Sequence, residues 1–237
     1  MDRAGPPGSP SGRLIGRRRR PSHTVGGVPV VAQFPLGSVL FPSMVLPLHV
    51  FEPRYQALVR DVLAGDGEFG VPLIVRGSEV GGGDVRSDVG TMARVLEARE
   101  LPDGRWALVA VGTRRFRVER WLTDDPYPRA EVEDWPDEPS ASGLDRYGEV
   151  VAVLRRALAL SAELGDEAAP STVELTDDPE LGSFQVAAVA PLGPLDKQAL
   201  LLAPSAGHRL DVAGQALAEL TEVLTLRMHD DGEGDPT

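Results

Sequence analysis

The arrangement of apolar and polar residues divides the chain into a strand-rich first part and a helical second part. Short apolar or alternating runs bounded by glycine, proline and aspartate are typical of strands, whereas apolar residues spaced three and four apart are typical of helices. The predicted strands are residues 30–35, 44–50, 69–75, 91–101, 106–111 and 130–135. The first two are predicted to be buried. Gly112 is predicted to bend the chain, with alternation continuing through Phe116 and Val118.

A single helix is predicted between the second and third of these strands. Pro53 suits its first turn and Gly65 suits its end, and the apolar residues between them recur at helical spacing. They are Tyr55, Leu58, Val59, Val62 and Leu63. Pro72 indicates an edge or a bulge in the strand that follows. Pro102-Asp103-Gly104 is a hairpin signal.

Beyond a turn-rich connector, the apolar spacing is helical to near the end of the chain. The predicted helices are residues 144–164, 179–190, 195–203 and 206–228. Strands followed by helices are typical of an α+β fold. The predicted organisation is a disordered leader rich in arginine, glycine and proline at 1–28, an ordered region at 29–228 and an acidic tail at 229–237. The ordered region divides into a strand-rich part at 29–136 and a helical part at 141–228.

Charge is distributed unevenly along the 237 residues, which carry a net charge of −12. Residues 1–28 contain six arginines and one aspartate, a charge of +5, which leaves −17 on the other 209 residues. A body of that charge repels phosphate backbones and argues against nucleic acid as a partner. The run Arg17–Arg20 leaves weak RNA binding by the leader as an alternative, although such a segment is more often a solvated tail.

The uncharged stretch from residue 21 to 51 superficially resembles an export signal or a membrane anchor. Prolines interrupt it at positions 29, 35, 42 and 47, so it cannot supply the roughly 20 unbroken apolar residues of a spanning helix. The stretch is better explained by two strands. We therefore expect a cytoplasmic protein that does not contact a membrane.

Residue usage excludes several chemistries. Cysteine is absent, which excludes disulfides, thiolate metal sites and cysteine nucleophiles. Lys197 is the single lysine and cannot complete a phosphate-binding loop, and no serine has glycine two residues before it, as a nucleophile elbow needs. A Ser–Lys pair using Lys197 stays open as an alternative, but a polar helix position is favoured. Gly65–Gly70 matches G-x-G-x-x-G but follows a helix instead of a strand, so we interpret it as a helix end and turn.

Histidines and paired carboxylates do not form a recognisable site. His23, His49, His208 and His229 lack zinc-binding spacing. His49 is expected to be a hydrogen-bonded interior or rim residue, and His23 and His229 to lie in the tails. Asp124/Asp125 and Asp177/Asp178 stand beside prolines and are interpreted as turn formers and helix caps. We therefore predict no catalytic residue, metal or cofactor.

The stretch FPLGSVLFPSMVLPLHVFEPRY, residues 34–55, resembles the opening of the Lon-type N-terminal substrate-binding domain. In that family an F-P-L strand leads through L-F-P and V-L-P-L to F-E-x-R-Y at a helix start. Further similar segments follow in the family's order, at residues 69–81, 89–118 and 194–204. The resemblance covers roughly residues 30–228.

The resemblance implies a strand-rich, PUA-like pseudo-barrel with one inserted helix, followed by a helical subdomain. In Lon proteases this domain precedes an ATPase and a Ser–Lys peptidase module, neither of which is visible here, so the chain resembles a standalone, bacterial-type substrate-binding domain. Cereblon is a distant relative, and its zinc module has no counterpart. The implied function is non-catalytic recognition of unfolded or exposed apolar polypeptide segments, with an ATP-dependent protease as a further partner.

The resemblance names no peptide-binding residues. Apolar residues near predicted turns and strand ends are the candidates for contact, although core packing is favoured for each. They are Phe41, Met44, Trp121 and Trp135. Two other functions stay open: a peptidase or hydrolase with an unrecognised nucleophile, and a PUA-like RNA binder.

Overall fold

The computed structural model describes residues 24–25, 28–79, 83–139 and 142–233. Its strands are β1 (Thr24–Val25), β2 (Val28–Ala32), β3 (Val45–Val50), β4 (Glu68–Arg76), β5 (Val85–Glu100), β6 (Trp106–Trp121) and β7 (Arg129–Asp134). Its α-helices are α1 (Pro53–Ala64), α2 (Tyr147–Glu163), α3 (Pro179–Val189), α4 (Pro194–Leu201) and α5 (Ala206–Glu233). His23, most of the predicted leader and residues 140–141 of the connector lie outside the described residues.

The strands form a sheet that curls into a barrel. Hydrogen bonding follows the order β1-β2-β7-β6-β5-β4, and β3 pairs with the first half of β6. The segment after β2 closes the barrel against β4, because the N–H of Phe34 donates to the carbonyl of Gly70 at 2.8 Å and that of Leu36 to the carbonyl of Pro72 at 3.1 Å. The structure thus confirms the predicted pseudo-barrel and α+β class.

β6 continues through Gly112, where the sequence predicts a bend, and its register against β5 shifts between Arg114 and Gly112, which indicates a bulge at that point. The glycine is needed for a close approach, because a Cβ atom there would collide with the carbonyl oxygen of Phe41. The backbone of Gly112 donates to the carbonyl of Met44 at 2.9 Å and accepts from the N–H of Ser43 at 2.8 Å. The absence of a side chain therefore lets the loop before β3 lie against β6.

α1 packs one apolar face into the barrel, as its spacing predicts. Tyr55, Leu58, Val59 and Val62 of this helix are buried in the same cluster as Phe34, Val50, Phe69 and Leu108. The predicted Leu63 is an exception, because its side chain is largely exposed. The register shift between Pro72 and Ile74 confirms the bulge that Pro72 indicates in β4.

The helices α2 to α5 form a second cluster that contacts the barrel through the loop before β3. Phe41 of that loop is buried among the helices, with its ring 6.5 Å from that of Phe184. Gln198 of α4 donates to the carbonyl of Val89 in β5 at 3.0 Å. Polar and apolar contacts thus join the two parts across one boundary.

Several element boundaries differ from the sequence-based prediction. β5 begins at Val85 instead of residue 91, and α5 continues to Glu233 instead of ending at residue 228. β1 pairs with β2 from Thr24, inside the segment predicted as leader. In the described part of the chain, no helix is both long enough and apolar enough to cross a lipid bilayer.

Candidate functional site

β3 is an edge strand, because its only strand partner among the described residues is β6. Its other side faces the segment Phe34–Leu36 across an open seam in the barrel. Leu46, Leu48 and Val50 point towards the core, whereas Val45 and His49 are exposed. The prediction of a fully buried strand here is therefore wrong: the strand is buried on one face only.

Pro47 determines which backbone groups of β3 face the seam. Proline has no N–H, so it is tolerated in a sheet where its nitrogen points away from the neighbouring strand. Pro47 lies opposite Val109 of β6 and directs its nitrogen to the free edge. Because backbone direction alternates along an antiparallel strand, the polar groups of Val45 and His49 also face that edge.

The seam groove is an open cavity of about 230 Å³ between β3 and the segment Phe34–Leu36. Its lining residues are Phe34, Pro35, Leu36, Pro47, Leu48, His49, Val50, Phe51, Glu52, Tyr55 and Glu79. Small-molecule sites usually enclose roughly 300–1,000 Å³. The groove is therefore small for a cofactor. One of its walls is the free edge of β3.

The floor of the groove is an aromatic pair. The rings of Phe34 and Tyr55 stack with centroids 4.3 Å apart, and the guanidinium of Arg54 lies 4.5 Å from the Tyr55 centroid. Burial raises the pKa of Tyr55 to about 12. The phenol is therefore even less prone to ionise than an exposed tyrosine.

One end of the seam groove is acidic. Arg54 donates to the carboxylate of Glu52 at 3.2 Å and to the backbone carbonyl of Glu79 at 3.1 Å. The Glu79 carboxylate accepts from the N–H of Gly37. Two carboxylates and one guanidinium therefore meet at this end, which leaves an excess negative charge.

Apolar side chains are exposed along β3 and beside it. Phe51, which directly follows β3, is 57% exposed, and Val45 at the other end of the strand is 60% exposed. Gln56 donates to the carbonyl of Phe51 at 3.0 Å and so fixes the backbone that carries the ring. Leu96 is exposed in the bulge of β5, which is separated from β3 by β6. Exposed apolar groups next to a free strand edge are typical of a protein-binding surface.

The four apolar residues that the sequence singles out are not exposed contacts. Phe41 is buried between the two parts of the fold, and Met44 packs against both apolar clusters. Trp121 donates to Asp88 at 2.9 Å, and its ring lies under Arg86. Trp135 lies under two arginine side chains, those of Arg115 and Arg117. Trp121 and Trp135 also pack against apolar clusters, so core packing, the interpretation that the sequence favours, accounts for all four residues.

The surroundings of the Lys197 side chain are less polar than the sequence suggests. It is half-buried, donates to the carbonyl of Ala188 in α3 at 2.8 Å, and burial lowers its pKa. Lys197 therefore lies near the start of a helix, as predicted, but its side chain is half-buried against α3. Its amine is hydrogen-bonded to a backbone carbonyl, which gives the Ser–Lys alternative no support.

The other candidates for chemistry have structural roles or remain separate. His49, expected in the interior or at its rim, is exposed and lines the seam groove, and His208 and His229 are exposed on α5. Asp178 accepts from the N–H of Glu180 at 3.0 Å and so caps α3, as predicted. The described residues contain no cluster of histidine and carboxylate side chains that could hold a metal ion.

Two smaller sequence interpretations are also settled by the geometry. The glycine-rich run at residues 65–70 joins the end of α1 to the start of β4, which confirms a helix end and turn. Asp124, expected in a turn, pairs with Arg86 at 2.7 Å.

Sequence reasoning missed Phe51 and the free edge of β3. A usable signal was present, because alternation from Leu46, Leu48 and Val50 places the residues between them on the outer face. Pro47 is the second signal, since proline inside a strand indicates an edge. The seam itself had no signal in the sequence.

Comparison with known proteins identifies a family whose model matches most of the chain. The family model described as the ATP-dependent protease La (LON) substrate-binding domain matches residues 30–219. Lon protease 2 of Herpetosiphon aurantiacus is 28% identical over 198 residues, covering 82% of this chain and 24% of that protease. Lon protease 2 of Sorangium cellulosum is 34% identical over 135 residues, covering 56% and 16%. The chain thus spans about a quarter or less of the curated relatives that it matches.

Solved structures share the fold. The Lon N-terminal domain protein from Xanthomonas campestris superposes with a TM-score of 0.60 at 31% identity, covering 81% of this chain and 98% of that one. The N-terminal domain of the Mycobacterium avium complex Lon protease gives a TM-score of 0.59 at 18% identity, with the same coverage. The second comparison supports the fold alone.

Proposed function

Because this chain belongs to the family of Lon substrate-binding domains, we propose that it is a non-catalytic module that binds polypeptide segments that are unfolded or expose apolar residues. The family match covers the substrate-binding domain, and no ATPase or peptidase module is matched. We place the binding surface at the seam groove and the adjoining Phe51. A cytoplasmic location, expected from the sequence, is part of the same proposal.

The exposed Phe51 at the end of a free strand edge is the observation that carries this assignment. Large aromatic side chains carry much of the binding energy at protein interfaces when a partner covers them. Unfolded segments supply both apolar side chains and unpaired backbone groups. The apolar residues of the groove could contact those side chains, and the free edge of β3 could pair with those backbone groups.

Delivery of the bound segment to an ATP-dependent protease is the second part of the proposal. Its support is that the similar curated proteins are Lon proteases. On this proposal the module acts by holding the bound polypeptide near the protease.

The test is a fluorescence-anisotropy titration of chemically unfolded, labelled casein with the purified protein. We expect saturable binding that Phe51→Ser weakens about tenfold, or ~1.4 kcal/mol, because an exposed anchor is lost. Leu226→Ser is the matched control, since Leu226 is 67% exposed on α5 and does not line the groove. Equal affinities for the two variants would contradict the assignment of the surface.

A gel of the same samples tests the non-catalytic part. Intact casein after prolonged incubation is expected. Cleavage that persists through purification and disappears in Lys197→Ala would establish the Ser–Lys alternative instead. Competition by RNA that fades steeply with added salt would support the RNA-binding alternative.

A further inference from the structure

We propose that a bound polypeptide adds as an extended strand to the free edge of β3, inside the seam groove, with a basic side chain at the acidic end. The inference rests on the proposed function and specifies how the client is held and which clients are preferred. Strand addition uses backbone hydrogen bonds for affinity and alternate side chains for selectivity.

The free edge supplies the hydrogen-bonding groups that an added strand needs. Val45, Pro47 and His49 direct their carbonyls away from β6, and Val45 and His49 also direct their N–H groups away. Among the described residues, no backbone group pairs with this side of the strand. Pro47 removes one donor, so the edge offers three acceptors and two donors.

The opposite wall of the groove offers a guest strand no backbone N–H group. The N–H groups of Phe34 and Leu36 already donate to β4, and Pro35 between them has no N–H. This wall therefore contributes apolar contact, while β3 contributes the hydrogen bonds. A guest strand would be paired on one side and packed on the other.

The charge of the groove selects the occupant. Glu52 and Glu79 line its end, where Arg54 donates to the Glu52 carboxylate and to the backbone carbonyl of Glu79. An arginine or lysine of the client would satisfy the excess carboxylate, whereas an acidic side chain would be repelled. A basic, extended polypeptide thus fits the groove better than a nucleic acid or a small anion.

The decisive probe is a labelled peptide with an arginine at one end followed by alternating valine and threonine. Two derivatives carry N-methyl groups on alternate residues, one on the odd set and one on the even set. In an added strand, the backbone N–H groups of only one of these two sets point towards β3. The derivative methylated on that set should therefore lose about tenfold or more in affinity, while the other binds nearly as the parent peptide does. Side-chain recognition alone would weaken both derivatives equally.

A protein variant tests the same bonds from the other side. His49→Pro removes the His49 N–H at the free edge, in a position like that of Pro47, while His49→Ala removes the imidazole and keeps the N–H. We expect His49→Pro to bind the peptide about tenfold more weakly than His49→Ala. Equal affinities, with both variants folded by circular dichroism, would overturn strand addition.

Charge selectivity is tested with Glu79→Gln, which keeps an acceptor for the N–H of Gly37. The parent protein should prefer the arginine peptide to its glutamine counterpart by about fivefold, and the variant should lose that preference. An unchanged preference would overturn the acidic end as the selecting feature.

The outcome separates the two proposals. Casein binding that depends on Phe51, together with equal effects of the two N-methyl sets, would retain the proposed function and overturn strand addition. Failure of casein and peptide to bind would overturn both. A dimer that excludes the peptide at all concentrations would assign the edge to a second copy of the chain, and the peptide proposal would fail.

Discussion

Arg209 of α5 donates two hydrogen bonds to the carboxylate of Asp137, at 3.0 and 2.7 Å. The carboxylate also receives the guanidinium of Arg115 from β6 at 2.5 Å. Arg209 is fully buried against the ring of Phe184, and burial lowers its pKa. One carboxylate on the connector therefore ties the last helix to the barrel.

Asp137→Asn is expected to destabilise the protein by about 3 kcal/mol, because it leaves two buried guanidinium groups without a counter-charge. Urea denaturation at neutral pH measures the effect. Asp103→Asn is the control, since Asp103 pairs with Arg105 in an exposed hairpin and should change stability far less than Asp137→Asn does. A similar small loss for both variants would show that Asp137 does not hold the two parts together.

Glu68 should make stability depend on acidity. Burial alone would raise its pKa, but hydrogen bonds from Arg94 and Arg114 outweigh burial and lower the pKa below its ordinary value. A lowered folded-state pKa adds stability above the unfolded-state value near 4.5, and that stability is lost as the pH falls through the folded-state pKa.

Glu68→Gln should therefore be less stable than the parent by about 1 kcal/mol at pH 7, since both arginines are partly exposed. The difference should shrink as the pH falls below about 4. Denaturant midpoints measured between pH 7 and pH 3 test this, and a gap that is constant with pH would contradict it.

Gly112→Ala and Gly148→Ala should change stability in opposite directions. A Cβ at Gly112 collides with the carbonyl of Phe41, so we expect a loss of about 2 kcal/mol or more. A Cβ at Gly148 meets nothing within 4 Å in the first turn of α2, so we expect a gain of about 0.5 kcal/mol from helix propensity. Thermal unfolding of the pair checks the sign of each change.

Lys197 is expected to stabilise the contact between α4 and α3. Lys197→Met removes the hydrogen bond to the Ala188 carbonyl and should cost about 1 kcal/mol. Casein binding should stay within about twofold of the parent, because Lys197 does not line the seam groove. A large loss of binding in a folded variant would place Lys197 in the client site.

Local patterning predicted most elements because each rests on residues close in the chain. The spacing from Tyr55 to Val62 indicates α1, and Pro53 and Gly65 mark its ends. The early start of β5 at Val85 was missed, because Arg86, Ser87 and Asp88 read as loop residues. They lie in the strand because tertiary partners hold them: Arg86 pairs with Asp84 and Asp124, and Asp88 accepts from Trp121.

The amino-acid sequence by itself determined the α+β class, the single inserted helix, the family and the absence of cysteine chemistry. These follow from local spacing, residue identity and ordered motifs. Only the tertiary structure decided the seam groove. The segment Phe34–Leu36 pairs with β4, whereas β3 pairs with β6, so a gap remains between that segment and β3. Pairing between distant strands leaves no periodic trace in the sequence, so the free edge and the exposed Phe51 emerge only when the barrel closes.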